Sequence, residues 1–307
     1  MTMKIGITGA TGFIGQRIVA VLQARGDEVV AFTRDPARAK LQGVRLVEAD
    51  LEHPGAWQDA VAGCDAVINL AGEPIAGKRW DARQKQRLRD SRVEATQNLV
   101  AAIARVQPRP RVLVSASGVD YYPYAMADVA EFDDDEVTEA DPAGESFLAR
   151  LCKAWETEAL AAEPLGVRVV TMRTGLVLGS HGGALAKMTT PFKLFAGGKI
   201  GSGKQWMPWI HLDDAVAAYI AAVDDERFTG PINLVTDSVR NAEFSKQLGS
   251  VMHRPSWLPV PAFALRAAVG ELSESILNGR RVVPAKLKEL GFHWKHPELH
   301  ETLASTR

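Results

Sequence analysis

The sequence predicts an α/β fold built on a doubly wound parallel sheet, and three observations carry that reading. An apolar strand, Lys4-Ile5-Gly6-Ile7, runs into glycines at 9, 12 and 15 and then into an amphipathic helix. Strand-like and helical stretches alternate through residues 1–175, and each strand ends in turn residues suited to a crevice at the carboxyl edge of a sheet.

The glycine loop reads as a dinucleotide site. Gly9 lets the chain turn sharply out of the strand, and Gly12 lets backbone N–H groups approach a pyrophosphate with no side chain between. Gly15 lets the helix lie close on the sheet. Thr11, Phe13 and Ile14 complete the loop, and the phosphates belong at the helix N-terminus, where unpaired N–H groups and the dipole favour negative charge. Glycine-rich turns without a ligand are common. Here the preceding strand and the following apolar stripe, Ile14, Ile18, Val21 and Leu22, argue for the site.

The second strand, Glu28 to Thr33, ends where the adenosine ribose should lie. A site for NAD(H) places Asp or Glu about twenty residues beyond the glycines, whereas here the chain reads Phe32-Thr33-Arg34. Arg34 can pair with a 2′-phosphate and Thr33 can add a donor, so NADP(H) is predicted over NAD(H). Asp35 and an ordinary exposed loop arginine are the competing reading. Strands at Val44–Ala49 and Ala66–Leu70 follow. Asp50 and Leu51 then border the adenine, while Leu70, Ala71, Gly72 and Glu73 let the other half of the cofactor pass close to the backbone, unless each is only a strand-to-loop turn.

One long helix is expected from Asp81 to Val106, its early charges solvated. A fifth strand from Val112 delivers Ser115-Ala116-Ser117 and then Tyr121-Tyr122. Ser115 is placed on the cofactor, and Ser117, Tyr121 and Tyr122 are the catalytic candidates, being hydroxyls and phenols on the ligand side of a strand. The acidic stretch 125–141 reads as a surface loop without a metal-ligand pattern, and no metal site is predicted. A helix over Glu145–Ala162 and a strand over Val167–Thr171 complete this half.

Beyond residue 175 the pattern changes to glycine-rich turns around lysines and tryptophans. Lys187, Trp206 and Trp209 are assigned to a substrate with a flat part and an anionic part; the alternative is a core corner filled by tryptophans. Asp213 or Asp214 is the expected N-cap of the next helix, and His211 a hydrogen-bonded structural residue. A strand at Ile232–Val235 and a helix at Ala242–Met252 follow. The expected division is a cofactor domain, 1–175 with a returning segment 204–240, and a smaller substrate and cap region, 176–307.

Composition narrows the partners. With 307 residues and 46% hydrophobic content a large core is possible, and 36 Lys plus Arg against 37 Asp plus Glu leave no field to recruit nucleic acid or a membrane. A small-molecule substrate is predicted, on a monomer or homodimer. Two cysteines, no apolar run of membrane-spanning length and no signal-peptide pattern point to the cytoplasm.

These residues resemble the extended short-chain dehydrogenase/reductase superfamily, and within it the sugar-nucleotide epimerase family with a small C-terminal cap. The likeness rests on Gly9 to Gly15, Asn69-Leu70-Ala71-Gly72-Glu73-Pro74-Ile75 with Lys78-Arg79-Trp80, and Ser115-Ala116-Ser117. It continues in Leu151-Cys152 with Trp155-Glu156, Arg173 to Leu178, and Trp209-Ile210-His211-Leu212-Asp213-Asp214. The resemblance implies a Rossmann-type cofactor domain holding NADP(H), a substrate between it and the C-terminal part, and epimerase/dehydratase-like or reductase chemistry. A sugar nucleotide is one substrate class it suggests.

The departures are equally specific. The superfamily's chemistry uses a Tyr four residues before a Lys on the helix after the fifth strand, and this helix contains no Tyr. One register puts Leu148 and Cys152 at those positions; the next puts Ala149 and Lys153 there. The family's paired tyrosines are bracketed by glycines, whereas here Asp120 precedes them and Pro123 follows. Two functions therefore compete: an NADP(H)-dependent oxidoreductase or epimerase whose proton transfer uses Ser117 and Tyr121 or Tyr122 beside Lys153 or Lys187, and an NADP(H)-binding sensor.

Overall fold

A computed structural model of the chain describes residues 2–124, 134–180 and 182–306. The acidic stretch predicted as a loop lies partly outside these residues, from 125 to 133. Seven parallel strands form the main sheet: β1 (Lys4–Thr8), β2 (Glu28–Thr33), β3 (Arg45–Glu48), β4 (Ala66–Asn69), β5 (Val112–Gly118), β7 (Arg168–Thr174) and β10 (Gly230–Leu234). Their order across the sheet is β10-β7-β5-β4-β1-β2-β3. The strand order reverses between β1 and β4, and the crevice at their carboxyl ends is where doubly wound sheets bind ligands. The short β6 (Glu136–Val137) pairs with β12 (Arg281–Val282), and β9 (Trp206–His211) lies between β8 (Leu176–Leu178) and β11 (Asp237–Arg240) in a three-stranded sheet.

Helices cover both faces of the main sheet, as parallel strands buried on both sides require. The helix α1 (Phe13–Arg25) and α6 (Leu212–Asp224) share one apolar layer with Ile5, Ile7, Val114, Met172 and Ile232; α3 (Val93–Arg105) and α4 (Phe147–Leu160) contribute to the opposite layer, with Val30, Val67, Leu113 and Val169. The α2 helix (Ala82–Asp90) packs Leu88 against Trp80, Val93, Leu148 and Leu151. A third cluster joins α5 (Leu185–Lys193), α7 (Asn241–Met252) and α11 (Leu299–Ser305) around the small sheet. Between them run α8 (Ala262–Val269), α9 (Ser273–Leu277) and α10 (Ala285–Glu289). Among the described residues no helix is long and apolar enough to cross a membrane.

Two expectations for local structure are corrected. The single helix over 81–106 is two, broken at Ser91-Arg92. Ser91 Oγ donates to the Leu88 carbonyl and accepts from the Glu73 N–H, while Arg92 reaches the Glu73 carbonyl, so the break turns two polar side chains onto the loop after β4. The cap of α6 is His211, whose Nδ1 accepts from the Asp213 N–H at 3.0 Å. Neither aspartate can cap, because both are taken: Asp213 Oδ1 accepts from Arg17 Nε at 2.7 Å, and the fully buried Asp214 accepts from the N–H groups of Lys295 and His296. His211 is thus a hydrogen-bonded structural residue, as expected.

Candidate functional site

The crevice at the carboxyl ends of β1, β2, β3 and β4 has a volume of about 450 Å³. Eleven residues predicted for a cofactor line it: Gly9, Thr11 and Gly12 from the glycine loop, Thr33 and Arg34 after β2, Asp50 and Leu51 after β3, and Leu70, Ala71, Gly72 and Glu73 after β4. Gly9 has φ +67°, and a Cβ there would lie 2.7 Å from the Leu70 carbonyl carbon. At Gly15 a Cβ would lie 2.3 Å from the Gly9 carbonyl oxygen, so the helix could not sit where it does with any larger residue. No side chain caps α1, as expected of a helix N-terminus able to receive an anion.

Three residues of the predicted set stand elsewhere. Phe13 turns away from the crevice, and its ring packs beneath Gly179, Gly182 and Gly183, where any Cβ would come within 2.9 Å of it. Ile14 packs against the core. Ser115 is fully buried and lies under the crevice floor, because its hydroxyl accepts from Asn69 Nδ2 at 3.1 Å. The same Asn69 accepts from Thr8 Oγ1 at 2.6 Å and donates to Thr96, and Thr8 accepts from the N–H groups of Leu70 and Ala71. This buried network fixes the β4 loop from below.

At the end of β2 the competing acid, Asp35, also lines the crevice but is paired with a neighbouring arginine. The Asp35 carboxylate accepts from the Arg38 N–H at 3.2 Å and pairs with the Arg38 guanidinium at 3.3 Å, capping a short turn over Pro36–Arg38. Arg34 faces the crevice, and Arg38, which sequence reasoning missed, lines it as well.

The catalytic candidates gather at one place but two of them are occupied. Ser117 donates to Glu156 Oε1 at 2.6 Å, and the fully buried Tyr122 donates to Asn233 at 2.7 Å and accepts from Arg173 Nη1 at 2.9 Å. Burial pushes the Tyr122 phenol up to about 12, although Arg173 works against it. Tyr121 is half-buried beneath the Arg173 guanidinium, 3.5 Å from its ring centroid, and among the described residues its hydroxyl has no hydrogen bond. Arg173 itself is 3% exposed and meets Glu156 through two bonds of 2.9 Å. Burial works to lower the Arg173 pKa, and the Glu156 carboxylate and Tyr122 hydroxyl more than offset it, so the guanidinium stays charged.

On α4 the register that faces the strand end is Leu148 with Cys152. A Cβ on Gly118 would lie 3.6 Å from Cys152 Sγ, whereas Lys153 is exposed to solvent and supplies no charge to the site. Burial pushes the Cys152 thiol up to about 12, which leaves it unreactive as a nucleophile. Lys187 reaches across from α5 and donates to the Ala76 carbonyl at 2.6 Å, in the loop that follows Pro74 of the crevice wall. Trp206 is stacked by Arg240 at 3.9 Å and is not part of the crevice. Trp209 is corrected to a core residue: it is 1% exposed and packed among Leu178, Phe192, Phe244 and Leu248.

His211, Asp213 and His296 bring three potential metal ligands within 4.8 Å of one another. Two of the three are already committed. Nδ1 of His211 accepts a backbone N–H, which puts the ring proton of the neutral imidazole on Nε2, and the Asp213 carboxylate is held by Arg17. As arranged, His211 serves as a helix cap and Asp213 as half of an ion pair.

With this geometry in hand, comparison with known proteins gives a direct answer. Residues 5–234 match the NAD dependent epimerase/dehydratase family. The chain belongs to that family. Residues 260–306 match a domain of unknown function, DUF1731, which contains α8 to α11. Among relatives, the chloroplastic epimerase family protein SDR39U1 homolog of Arabidopsis thaliana is 41% identical, over 98% of this chain and 86% of that protein. The epimerase family protein YfhF of Bacillus subtilis is 36% identical over 98% and 97%. The crystal structure of human SDR39U1 with NADPH superimposes with a TM-score of 0.86 at 32% identity, covering 99% of both chains. A nucleoside-diphosphate sugar epimerase from Corynebacterium glutamicum gives 0.78 at 29% identity, over all of this chain and 58% of that one. In this family member α4 carries no Tyr, and its one Lys, Lys153, is exposed.

Proposed function

We propose that the chain is an NADP(H)-dependent oxidoreductase or epimerase acting on a hydroxyl- or carbonyl-bearing small molecule, with a nucleotide-linked sugar as the first class to test. The observation that carries this is the end of β2, where Thr33, Arg34, Asp35 and Arg38 line the crevice and the Asp35 carboxylate is paired with Arg38. A guanidinium there suits a 2′-phosphate, and the carboxylate that could select a 2′-hydroxyl is held by Arg38. The human relative's NADPH complex and the Corynebacterium relative's name support the cofactor and the substrate class respectively. Cofactor binding falls to residues 1–175 with the returning segment, and substrate binding to 176–307.

When bound, the nicotinamide supplies or accepts a hydride. The chain's own part is to hold the diphosphate on the amides of the glycine loop, to exclude water beneath the loop bridged by Lys187, and to move a proton. Tyr121 is the candidate for that proton, being the one phenol of the pair whose hydroxyl has no hydrogen bond among the described residues.

The cofactor assignment is tested by titrating the protein with NADPH and NADH and repeating the titration on Arg34→Ala. Loss of a charged hydrogen bond of about 1.5–3 kcal/mol corresponds to a tenfold to hundredfold weaker NADPH complex, with NADH nearly unchanged. Tighter binding of NADH, or an unaltered preference in the variant, overturns it. The sensor reading has its own support in Leu148 and Cys152 and in the committed hydroxyls of Ser117 and Tyr122. Tight NADPH binding with no turnover of sugar nucleotides, aldehydes or ketones selects the sensor; turnover that Tyr121→Phe abolishes selects the enzyme.

A further inference from the structure

Two arginines are buried at the ligand end of the main sheet, and they are satisfied very differently. Arg173, 3% exposed, has a carboxylate across from it. Arg92, 7% exposed, has none: among the described residues no carboxylate lies within ion-pair distance, and its bonds run to the carbonyl oxygens of Leu88 and Glu73. Only two of its five N–H donors are used in this way. A buried cation is ordinarily paired, because the desolvation cost of leaving it alone is several kcal/mol. The fold nevertheless breaks a helix to place Arg92 here.

Its surroundings say what it faces. A Cβ added to Gly72 would lie 3.0 Å from Arg92 Cζ and 3.1 Å from Nη2, so the guanidinium lies directly behind Gly72, which lines the crevice, while Arg92 itself is not a lining residue. On its other side it stacks on Trp155, at 5.2 Å from the ring, one helical turn beyond Cys152 on α4. Cys152 stands where the superfamily carries its lysine, and it offers a neutral thiol. The cation missing from α4 is therefore matched by one arriving from the start of α3, between that position and the crevice wall.

We propose that Arg92 is a cofactor-binding residue, its free N–H groups holding the hydroxyls of the ribose on the nicotinamide side of NADP(H). The inference rests on the cofactor assignment above. Gly72 is the enabling residue, since any side chain there would displace the guanidinium.

The test is calorimetric titration of wild type, Arg92→Gln and Arg92→Lys with three ligands: NADPH, 2′-phospho-ADP-ribose and 2′-phospho-ADP. The third carries every phosphate of the second but no second ribose. Arg92→Gln should weaken NADPH and 2′-phospho-ADP-ribose by about tenfold or more and leave 2′-phospho-ADP within twofold, and Arg92→Lys should recover part of the loss. Equal weakening of all three ligands, or of none, overturns the proposal and makes Arg92 a strut for the β4 loop. Should Arg92→Gln fail to fold, Arg92→Lys carries the same comparison, with a loss confined to the two ribose-bearing ligands expected and a uniform effect refuting. If wild type binds none of the three, the failure belongs to the cofactor assignment itself.

Discussion

Replacing Glu156 with Gln probes the pair that organises the end of β5. Its carboxylate accepts three bonds, from Ser117 Oγ at 2.6 Å and from Arg173 Nε and Nη2 at 2.9 Å each. An amide keeps the volume but presents an NH2 to a guanidinium, so one bond is replaced by a donor facing a donor and the Arg173 charge is left buried and uncompensated. Removing one partner of such a pair costs about 3–5 kcal/mol. At roughly 2–3 °C per kcal/mol for a chain of this size, the melting temperature should fall by about 6–15 °C. The reverse change, Arg173→Met, strands Glu156 and also frees the Tyr122 hydroxyl, and should cost a similar amount. In the double variant neither charge remains, so its cost should fall short of the sum by about 2–3 kcal/mol. Calorimetric melting of the four proteins closes the cycle. A single-variant loss below about 1 kcal/mol, or strict additivity, would show that the pair is not a coupled buried unit.

Two further outcomes can be read with simple means. Gly15→Ala places a Cβ 2.3 Å from the Gly9 carbonyl oxygen and 2.8 Å from Ala10 Cα, so NADPH binding measured by nicotinamide fluorescence should be lost or weakened at least tenfold; unchanged affinity would refute the close approach of helix and loop. His211 lies below the ordinary histidine range, because burial and the adjacent His296 ring oppose a second charge. The unfolded chain therefore takes up that proton first, and the stability involved is complete above pH about 6.5 and falls below it by up to about 1.4 kcal/mol per pH unit. Since protonation at Nδ1 also removes the cap acceptor, His211→Asn should flatten the melting temperature between about pH 6.5 and 5; an equally steep variant would place the titrating group elsewhere.

The crevice was legible because its parts are contiguous. Gly9 to Gly15, Thr33-Arg34 and Leu70 to Glu73 each sit in one turn at a strand end, and the parallel order brings the turns together without further information. What stayed hidden is long-range. Arg173 meets partners 17 and 51 positions away, and Asn233 lies 111 positions from the Tyr122 it accepts from, so no local pattern marks them. Ser91-Arg92 was invisible as a helix break because neither residue is a helix breaker; the break is set by the bonds both make to Glu73. Trp209 was misread for a related reason, since spacing alone does not tell a ring that packs from a ring that binds.

The buried carboxylate of Asp214 ties the last fifty residues to α6, which covers one face of the main sheet. Both of its oxygens are answered by amides of Lys295 and His296, and Leu287 sits in the same apolar layer as Ile5. Cutting the chain ahead of residue 260 would strip an interior acid of its hydrogen bonds and open that layer to water. The tail is therefore a structural keystone for the nucleotide half, and any attempt to produce the two matched segments as separate polypeptides should yield an insoluble or proteolysed amino-terminal piece.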